Sequence, residues 1–263
     1  MPLSITQLKR LKSYSQKKFR RLDGVFVAET PKVVEVLLAG NRQVHEIYAL
    51  PSWLKREENS LRVKRCEKAQ GHEIAVTEIS PKELERISNL DTPHEIFAVL
   101  QMPQGLSDMD DSLLEGCTLM LDDIRDPGNL GTILRVVDWF GIDHVLCTEN
   151  CADAYQPKCV QASMGSVGVC YIRYAKREAM AAFATKPRHV YGTFLQGDNL
   201  YQTHLAQENA WYIIGNEAHG IGADLESIVH KRLTIPAFPK HSTGAESLNA
   251  AIATAILCSE IRR

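Results

Sequence analysis

The chain has 263 residues, 44% of them hydrophobic, and its 30 basic and 32 acidic side chains leave a formal charge of −2. A chain of this length buries a core without staples, and a charge this near neutral excludes a wholesale polycation, so any nucleic-acid contact has to come from a local patch. Seven scattered cysteines without a Cys-x-x-Cys pair suit reduced cytoplasmic thiols, and the absence of a signal-like start or a membrane-length apolar run predicts a cytoplasmic protein with no membrane partner.

Residues 6–21 read as a helix, with Ile5, Leu8, Leu11, Phe19 and Leu22 at roughly helical spacing and Asp23-Gly24 as its stop. Lys9, Arg10, Lys12, Lys17, Lys18, Arg20 and Arg21 fall here with no acidic residue before Asp23. Such a run is either a solvated helix face or a phosphate-contacting one. A strand over 25–28 and a helix over 32–39 follow, the helix entered through Thr30-Pro31 as cap and first-turn proline and ended by Gly40. Strands at 44–50, 73–76 and 96–102 alternate with a charged helical stretch after Trp53 and with a helix opened by Ser80-Pro81-Lys82-Glu83, a capping box. Residues 1–102 therefore predict a small α/β sandwich, and the polar, acidic, turn-rich stretch 103–116 a linker.

Residues 117–263 predict a second α/β domain. Strands are expected at 118–121, 144–147, 167–172, 190–195, 211–214 and 233–235. Helices are expected at 130–140, 157–162, 177–186, 223–229 and 246–261. Near-continuous apolar strands such as Thr118-Leu119-Met120-Leu121 imply a parallel sheet covered on both faces. His144, Cys147, Cys151 and Cys159 sit close in sequence but match no common zinc spacing, so no metal is expected. A parallel sheet receives ligands at the carboxyl ends of its strands. The turn after the first of these strands, Asp122 to Gly131, is neither a Gly-x-Gly-x-x-Gly fingerprint nor a Walker A loop, which disfavours a conventional nucleotide site.

Three stretches at strand-to-helix junctions carry the chemistry: Asn129-Leu130-Gly131-Thr132-Ile133-Leu134-Arg135, Gly215-Asn216-Glu217-Ala218-His219-Gly220, and Ile235-Pro236 followed by Ser247-Leu248-Asn249. In that order they resemble the signature motifs of the SpoU (TrmH-like) branch of the SPOUT RNA 2′-O-ribose methyltransferases. Residues 1–102, with Phe26-Val27-Ala28-Glu29-Thr30 where Glu-Gly is usual, resemble that family's L30e-like substrate-binding domain. The resemblance implies a C-terminal SPOUT domain with a deep trefoil knot, S-adenosyl-L-methionine as methyl donor, and a homodimer through the knotted domain. RNA is the implied substrate, ribosomal in preference to transfer RNA.

The resemblance assigns Arg135, Asn129, Glu217, Ser247 and Asn249 to catalysis. It assigns Thr193, Phe194, Leu195, Gly215, Asn216, Glu217, Gly220, Ile235, Pro236, Ser247 and Leu248 to the cofactor, and the basic run, as Lys17, Lys18, Arg20 and Arg21, to RNA together with Arg135. Each has a plainer reading. Asn129 fits a helix N-cap, Arg135 an exposed helical arginine among apolar neighbours, Glu217 a surface carboxylate that also suits ordering of the motif loops, and His219 a loop histidine. Ser247 and Asn249 fit a capping arrangement, with Ser242 or Thr243 in contention. Ala162-Ser163-Met164-Gly165-Ser166-Val167 fits packing. The third motif departs from the family, because Ala237 to Glu246 intervenes and adds Lys240 and His241 near the site. Rival readings are a transfer-RNA methyltransferase, a non-catalytic RNA-binding factor of the same fold, and a serine hydrolase on Ser247, which lacks the Gly-x-Ser-x-Gly elbow.

Overall fold

The computed structural model describes residues 2–40, 42–105, 109–142, 144–238 and 246–263. Lys240, His241, Ser242 and Thr243 lie outside the described residues. The chain forms two compact units, Met1–Gln104 with Asp153–Val169, and Gly105–Ala152 with Cys170–Arg263. The units therefore depart from a single break at 103–116, because the chain returns to the first unit after residue 152.

The single helix expected over 6–21 is two, α1 (Ile5–Ser13) and α2 (Lys17–Asp23). Ser4 and Gln7 form a capping box on α1. The break rests on Arg20, whose guanidinium donates through Nη1 to the carbonyls of Tyr14 and Ser15, both at 2.8 Å, and so satisfies acceptors just past the end of α1. Gly24, at φ 64°, ends α2 in the left-handed conformation.

The first unit continues with β1 (Val25–Glu29), α3 (Pro31–Ala39), β2 (Val44–Ala49), α4 (Pro51–Leu54), α5 (Glu57–Gln70), β3 (Ala75–Glu78), α6 (Pro81–Ile87) and β4 (Ile96–Gln101). Its sheet runs β1-β4-β2-β3, antiparallel except for the parallel β2/β3 pair. Leu8 and Leu11 of α1 and Leu84 and Ile87 of α6 pack with Val25, Val27, Tyr48, Phe97 and Val99 in one core. Thr30 precedes α3 as expected but makes no side-chain cap bond, and it holds φ at 75°, a region few non-glycine residues enter.

The expected linker is structured in its second half. Asp111–Leu114 forms a 3₁₀ turn, and the buried Leu113 accepts from Thr118 Oγ1 at 2.8 Å and Trp211 Nε1 at 2.9 Å through its carbonyl. The second unit then runs β5 (Cys117–Leu121), α7 (Pro127–Trp139) and β6 (His144–Thr148). After α8 (Pro157–Ala162), which belongs to the first unit, come β7 (Tyr171–Ala175), α9 (Arg177–Phe183), β8 (His189–Asn199), β9 (Ala210–Ile214), α10 (Ala223–Glu226), β10 (Lys231–Thr234) and α11 (Ala250–Ile261). The strand expected at 167–172 starts later, because Ser166–Gly168 is a buried 3₁₀ turn of the first unit. There a Cβ on Gly165, at φ 98°, would sit 2.7 Å from the Val36 side chain.

The second sheet is wholly parallel in the order β10-β8-β9-β5-β6-β7. β5, β6 and β9 are buried at every position, as strands covered on both faces must be. α7 packs against α11. None of the seven cysteines forms a disulfide, and all are buried. Among the described residues no helix is long and apolar enough to cross a membrane.

Candidate active site

At the carboxyl ends of β5 and β9 in the second unit, hydrogen bonds join Asn129, Glu217 and Asn249, one residue from each motif. α7 begins with Asp126 as its N-cap, whose carboxylate accepts from the Asn129 amide N–H at 2.9 Å. Asn129 is therefore not the cap expected from its type; it sits inside the first turn with its side chain free for tertiary contacts.

Those contacts join the three motifs. Asn249 caps α11, its Oδ1 accepting from the N–H groups of Ala251 at 3.0 Å and Ile252 at 3.3 Å. Its Nδ2 then donates to Asn129 Oδ1 at 3.0 Å, so Asn129 Nδ2 faces Glu217 Oε1, to which it donates at 2.6 Å. The same oxygen accepts from the Ala250 N–H at 3.2 Å. Every amide orientation is fixed by the next member, and Glu217, at the end of the chain, acts purely as an acceptor.

The loop carrying Glu217 is tied down from both sides. Asn216 and Gly220 exchange backbone hydrogen bonds at 3.0 and 2.8 Å, closing the turn so tightly that a Cβ on Gly215 would lie 2.3 Å from the Gly220 carbonyl carbon. Only glycine fits at 215. Asn216 Nδ2 donates to the Asp123 carbonyl at 2.8 Å, and its Oδ1 accepts from the Ala218 and His219 N–H groups. His219 is exposed, with its imidazole outside this network.

Sequence reasoning missed the acidic pair beneath this loop. Asp122 is fully buried and accepts from the Gly222 N–H at 2.7 Å and from Arg177 Nε at 2.8 Å. That side-chain bond, set against partial burial, raises the Arg177 pKa. Asp123, at φ 61°, accepts from Arg125 Nε at 2.8 Å, while its own N–H donates to Thr148 Oγ1 at 2.9 Å. The signal available was a pair of carboxylates directly after an apolar strand, where burial demands partners.

β8 supplies another wall. Arg232 pairs with Gly192, but its neighbour Leu233 pairs with Asp198, so residues 193–197 of β8 bulge out of the ladder with β10. Thr193 Oγ1 donates to the Ile213 carbonyl and Thr234 Oγ1 to the Leu195 carbonyl, both at 3.1 Å. The Phe194 ring is covered on one side by the Arg232 guanidinium, 3.6 Å from its centroid, and Leu195 is exposed. Ile235 and Pro236 are half-buried, whereas Ser247 and Leu248 are exposed and precede α11. Ser247 makes no hydrogen bond among the described residues, so the structure does not join it to the network.

Arg135 lies exposed on α7 and forms no ion pair among the described residues. Lys17, Lys18 and Arg21 of the first unit are likewise exposed. Arg20 is a correction: it is 1% exposed and ion-paired to Asp153 at 2.7 Å, so it holds the fold and cannot meet an RNA phosphate.

A wholly parallel sheet whose carboxyl edge carries a polar network joining three loops, together with a smaller mixed-sheet unit bearing exposed lysines, defines a two-part α/β protein with a candidate ligand site. Residues 116–259 match the SpoU rRNA methylase family, and residues 6–98 match the MRM3-like substrate binding domain. The chain is 32% identical to the 23S rRNA (guanosine(2553)-2′-O)-methyltransferase RlmP of Bacillus subtilis over 177 residues, covering 67% of this chain and 68% of that one. A TrmH-family structure from Porphyromonas gingivalis superposes with a TM-score of 0.80 at 36% identity, covering 99% of this chain and 98% of the other. The AdoMet-bound rRNA methyltransferase of Sinorhizobium meliloti gives a TM-score of 0.82 at 26% identity, covering 100% and 97%. This chain belongs to the SpoU rRNA methylase family, and it is an S-adenosyl-L-methionine-dependent RNA methyltransferase.

Proposed function

We propose that this chain methylates a ribose 2′-hydroxyl of ribosomal RNA, with residues 117–263 holding the donor and residues 1–102 the RNA. The observation that carries the reading is the Asn249-Asn129-Glu217 chain, which fastens the three motif loops to one another at the ligand edge of the sheet.

The residues present fit the donor. The Gly215–Gly220 turn, open space beside Gly220 and the 193–197 bulge offer backbone donors and acceptors on neighbouring strands, and half-buried Phe194, Ile235 and Pro236 offer apolar surface for an adenine. Thr193, Leu195, Gly215, Asn216, Glu217, Gly220, Ser247 and Leu248 complete that cradle. When bound, the sulfonium supplies an electrophilic methyl carbon, whose bond to sulfur breaks as the ribose oxygen bonds to it.

The protein's task is to align that oxygen and to favour passage of its proton to solvent water. Asn129 and Glu217 hold the loops in register. The exposed Arg135 guanidinium clamps an adjacent RNA phosphate and stabilises negative charge growing on the 2′-oxygen. Lys17, Lys18 and Arg21 bind RNA backbone. The family resemblance further supports a trefoil knot and a homodimer, and the seven scattered cysteines, none in a disulfide, support a cytoplasmic setting. Trp139 at 85% and Ile252 at 53% exposure, on the mutually packed α7 and α11, favour burial of that surface against a second copy.

The test is transfer of labelled methyl into unmodified ribosomal and transfer RNA by wild type and Arg135→Ala, followed by nucleoside analysis. Label in a 2′-O-methyl nucleoside of ribosomal RNA, lost in the variant while donor affinity persists, is the expected result. Label confined to transfer RNA would move the substrate class, and donor binding without transfer to either RNA or to ribosomal particles would favour a non-catalytic role.

A further inference from the structure

The acidic pair at the end of β5 holds two arginines in an unusual way. Arg177 reaches Asp122 and Arg125 reaches Asp123, each through Nε alone. The terminal Nη1 and Nη2 nitrogens of both make no hydrogen bond among the described residues. The side chains are 32% and 69% exposed respectively, above carboxylates that are 0% and 8% exposed.

Each guanidinium is thus anchored on its inner edge and open on its outer one. Their anchoring carboxylates are consecutive residues, and the two positive charges oppose each other electrostatically. Arg177 also lies close against Gly222, where an added Cβ would meet its Cζ and Nε at 3.1 Å. Asp224, which also acts electrostatically on Arg177, forms no ion pair with it.

We propose that Arg125 and Arg177 form a phosphodiester-binding fork for the RNA backbone at the rim of the active site. This rests on the reading of the protein as an RNA methyltransferase. Guanidinium edges carrying two N–H groups match phosphate oxygens bidentately, and an anion bridging the pair removes the repulsion between them. The location suits substrate: Asp123, which anchors Arg125, also accepts from Asn216 of the motif loop, and Asp126, one residue beyond Arg125, caps the helix that carries Asn129 and Arg135.

The test measures binding of an unmodified ribosomal RNA transcript across a salt series, with donor affinity measured separately by calorimetry. Arg125→Gln is expected to weaken RNA binding about tenfold and to reduce the slope of log K against log salt by about one, with donor affinity within about twofold of wild type. Arg177→Gln alone would leave Asp122 buried and unpaired, so it is made together with Asp122→Asn, which retains an acceptor for the Gly222 N–H. The same loss of RNA affinity and slope is expected there. RNA affinity and salt slope unchanged in both proteins would overturn the fork, as would equal loss of donor and RNA affinity, which would mark the arginines as supports of the cofactor loop. A wild type that binds this RNA yet methylates neither it nor ribosomal particles would count against the enzymatic reading and leave the binding comparison intact.

Discussion

Single residues decide this site through partners that sequence cannot rank. Asp126 and Asn129 are both good capping types three positions apart, and Asp126 takes the cap because the Asn129 amide is drawn to Glu217, 88 residues away. Glu217 receives two donors on one oxygen. Glu217→Ala leaves both without that acceptor at an exposed position where water can replace it, at a cost of about 0.5–1.5 kcal/mol. Steady-state kinetics should therefore show a higher KM for the donor and a lower kcat, with Glu217→Gln, whose amide oxygen still accepts, retaining more of both. Equal effects of the two substitutions would make the charge rather than the tether essential. Thr30 invites the opposite experiment. Its φ of 75° is strained for a β-branched residue, so Thr30→Gly should raise stability by about 1 kcal/mol in urea unfolding. A loss of stability would show that the Thr30 side chain contributes more than its backbone strain costs.

The elements were mostly legible because their patterns are local. Continuous apolar runs marked β5, β6 and β9, and Ser80 with Glu83 marked the start of α6, whose capping box is present. Failures arose where a distant group intervened. The break between α1 and α2 depends on Arg20 turning back onto carbonyls and on Asp153, 133 residues on. The bulge in β8 depends on its register with β10, which strand propensity does not encode. Asn249 illustrates a local signal with a non-local use, since it both caps α11 and orients Asn129. Asn249→Ala should cost about 1 kcal/mol as a lost cap and should also lower methyl transfer, whereas Asn249→Asp should restore stability more fully than activity, because a carboxylate caps the helix but cannot donate to Asn129. Thermal melts and initial rates on the same proteins would separate the two roles. Between elements, burial raises the thiol of Cys117 on β5 to about 11 and that of Cys258 on α11 to about 12. The folded state thus favours neutral thiols, and its stability is complete below the ordinary thiol range near 9 and falls as pH rises through these values. Urea midpoints should drop between about pH 9 and 12, and Cys258→Ala should flatten the decline; a pH-independent midpoint would contradict the burial argument.

At the scale of the whole molecule, RNA binding by a nearly neutral protein has to rely on where its cations stand rather than on how many it has. The basic run near the N-terminus looked uniform in sequence, yet folding divides it. Arg10 bonds to Glu46 at 2.6 Å, Lys12 reaches the Ser88 carbonyl, and Arg20 is buried with Asp153, while Lys17, Lys18 and Arg21 remain exposed. The division predicts two distinct outcomes from charge removal in one short segment. Replacing Lys17, Lys18 and Arg21 together by Gln should leave thermal stability within about 0.5 kcal/mol of wild type, the usual range for surface substitutions. The same protein should bind ribosomal RNA with a salt slope lower by about two to three, near one for each phosphate no longer neutralised. Arg20→Gln should do the reverse. It strands Asp153 and the Tyr14 and Ser15 carbonyls, a loss of about 3–5 kcal/mol for a broken buried pair, while the salt slope of the fraction that remains folded stays at the wild-type value. If the triple variant kept the full slope, the RNA-facing cations of the first unit would have to be sought outside α2. If Arg20→Gln changed the slope without changing stability, the buried ion pair would have to open in the RNA-bound protein.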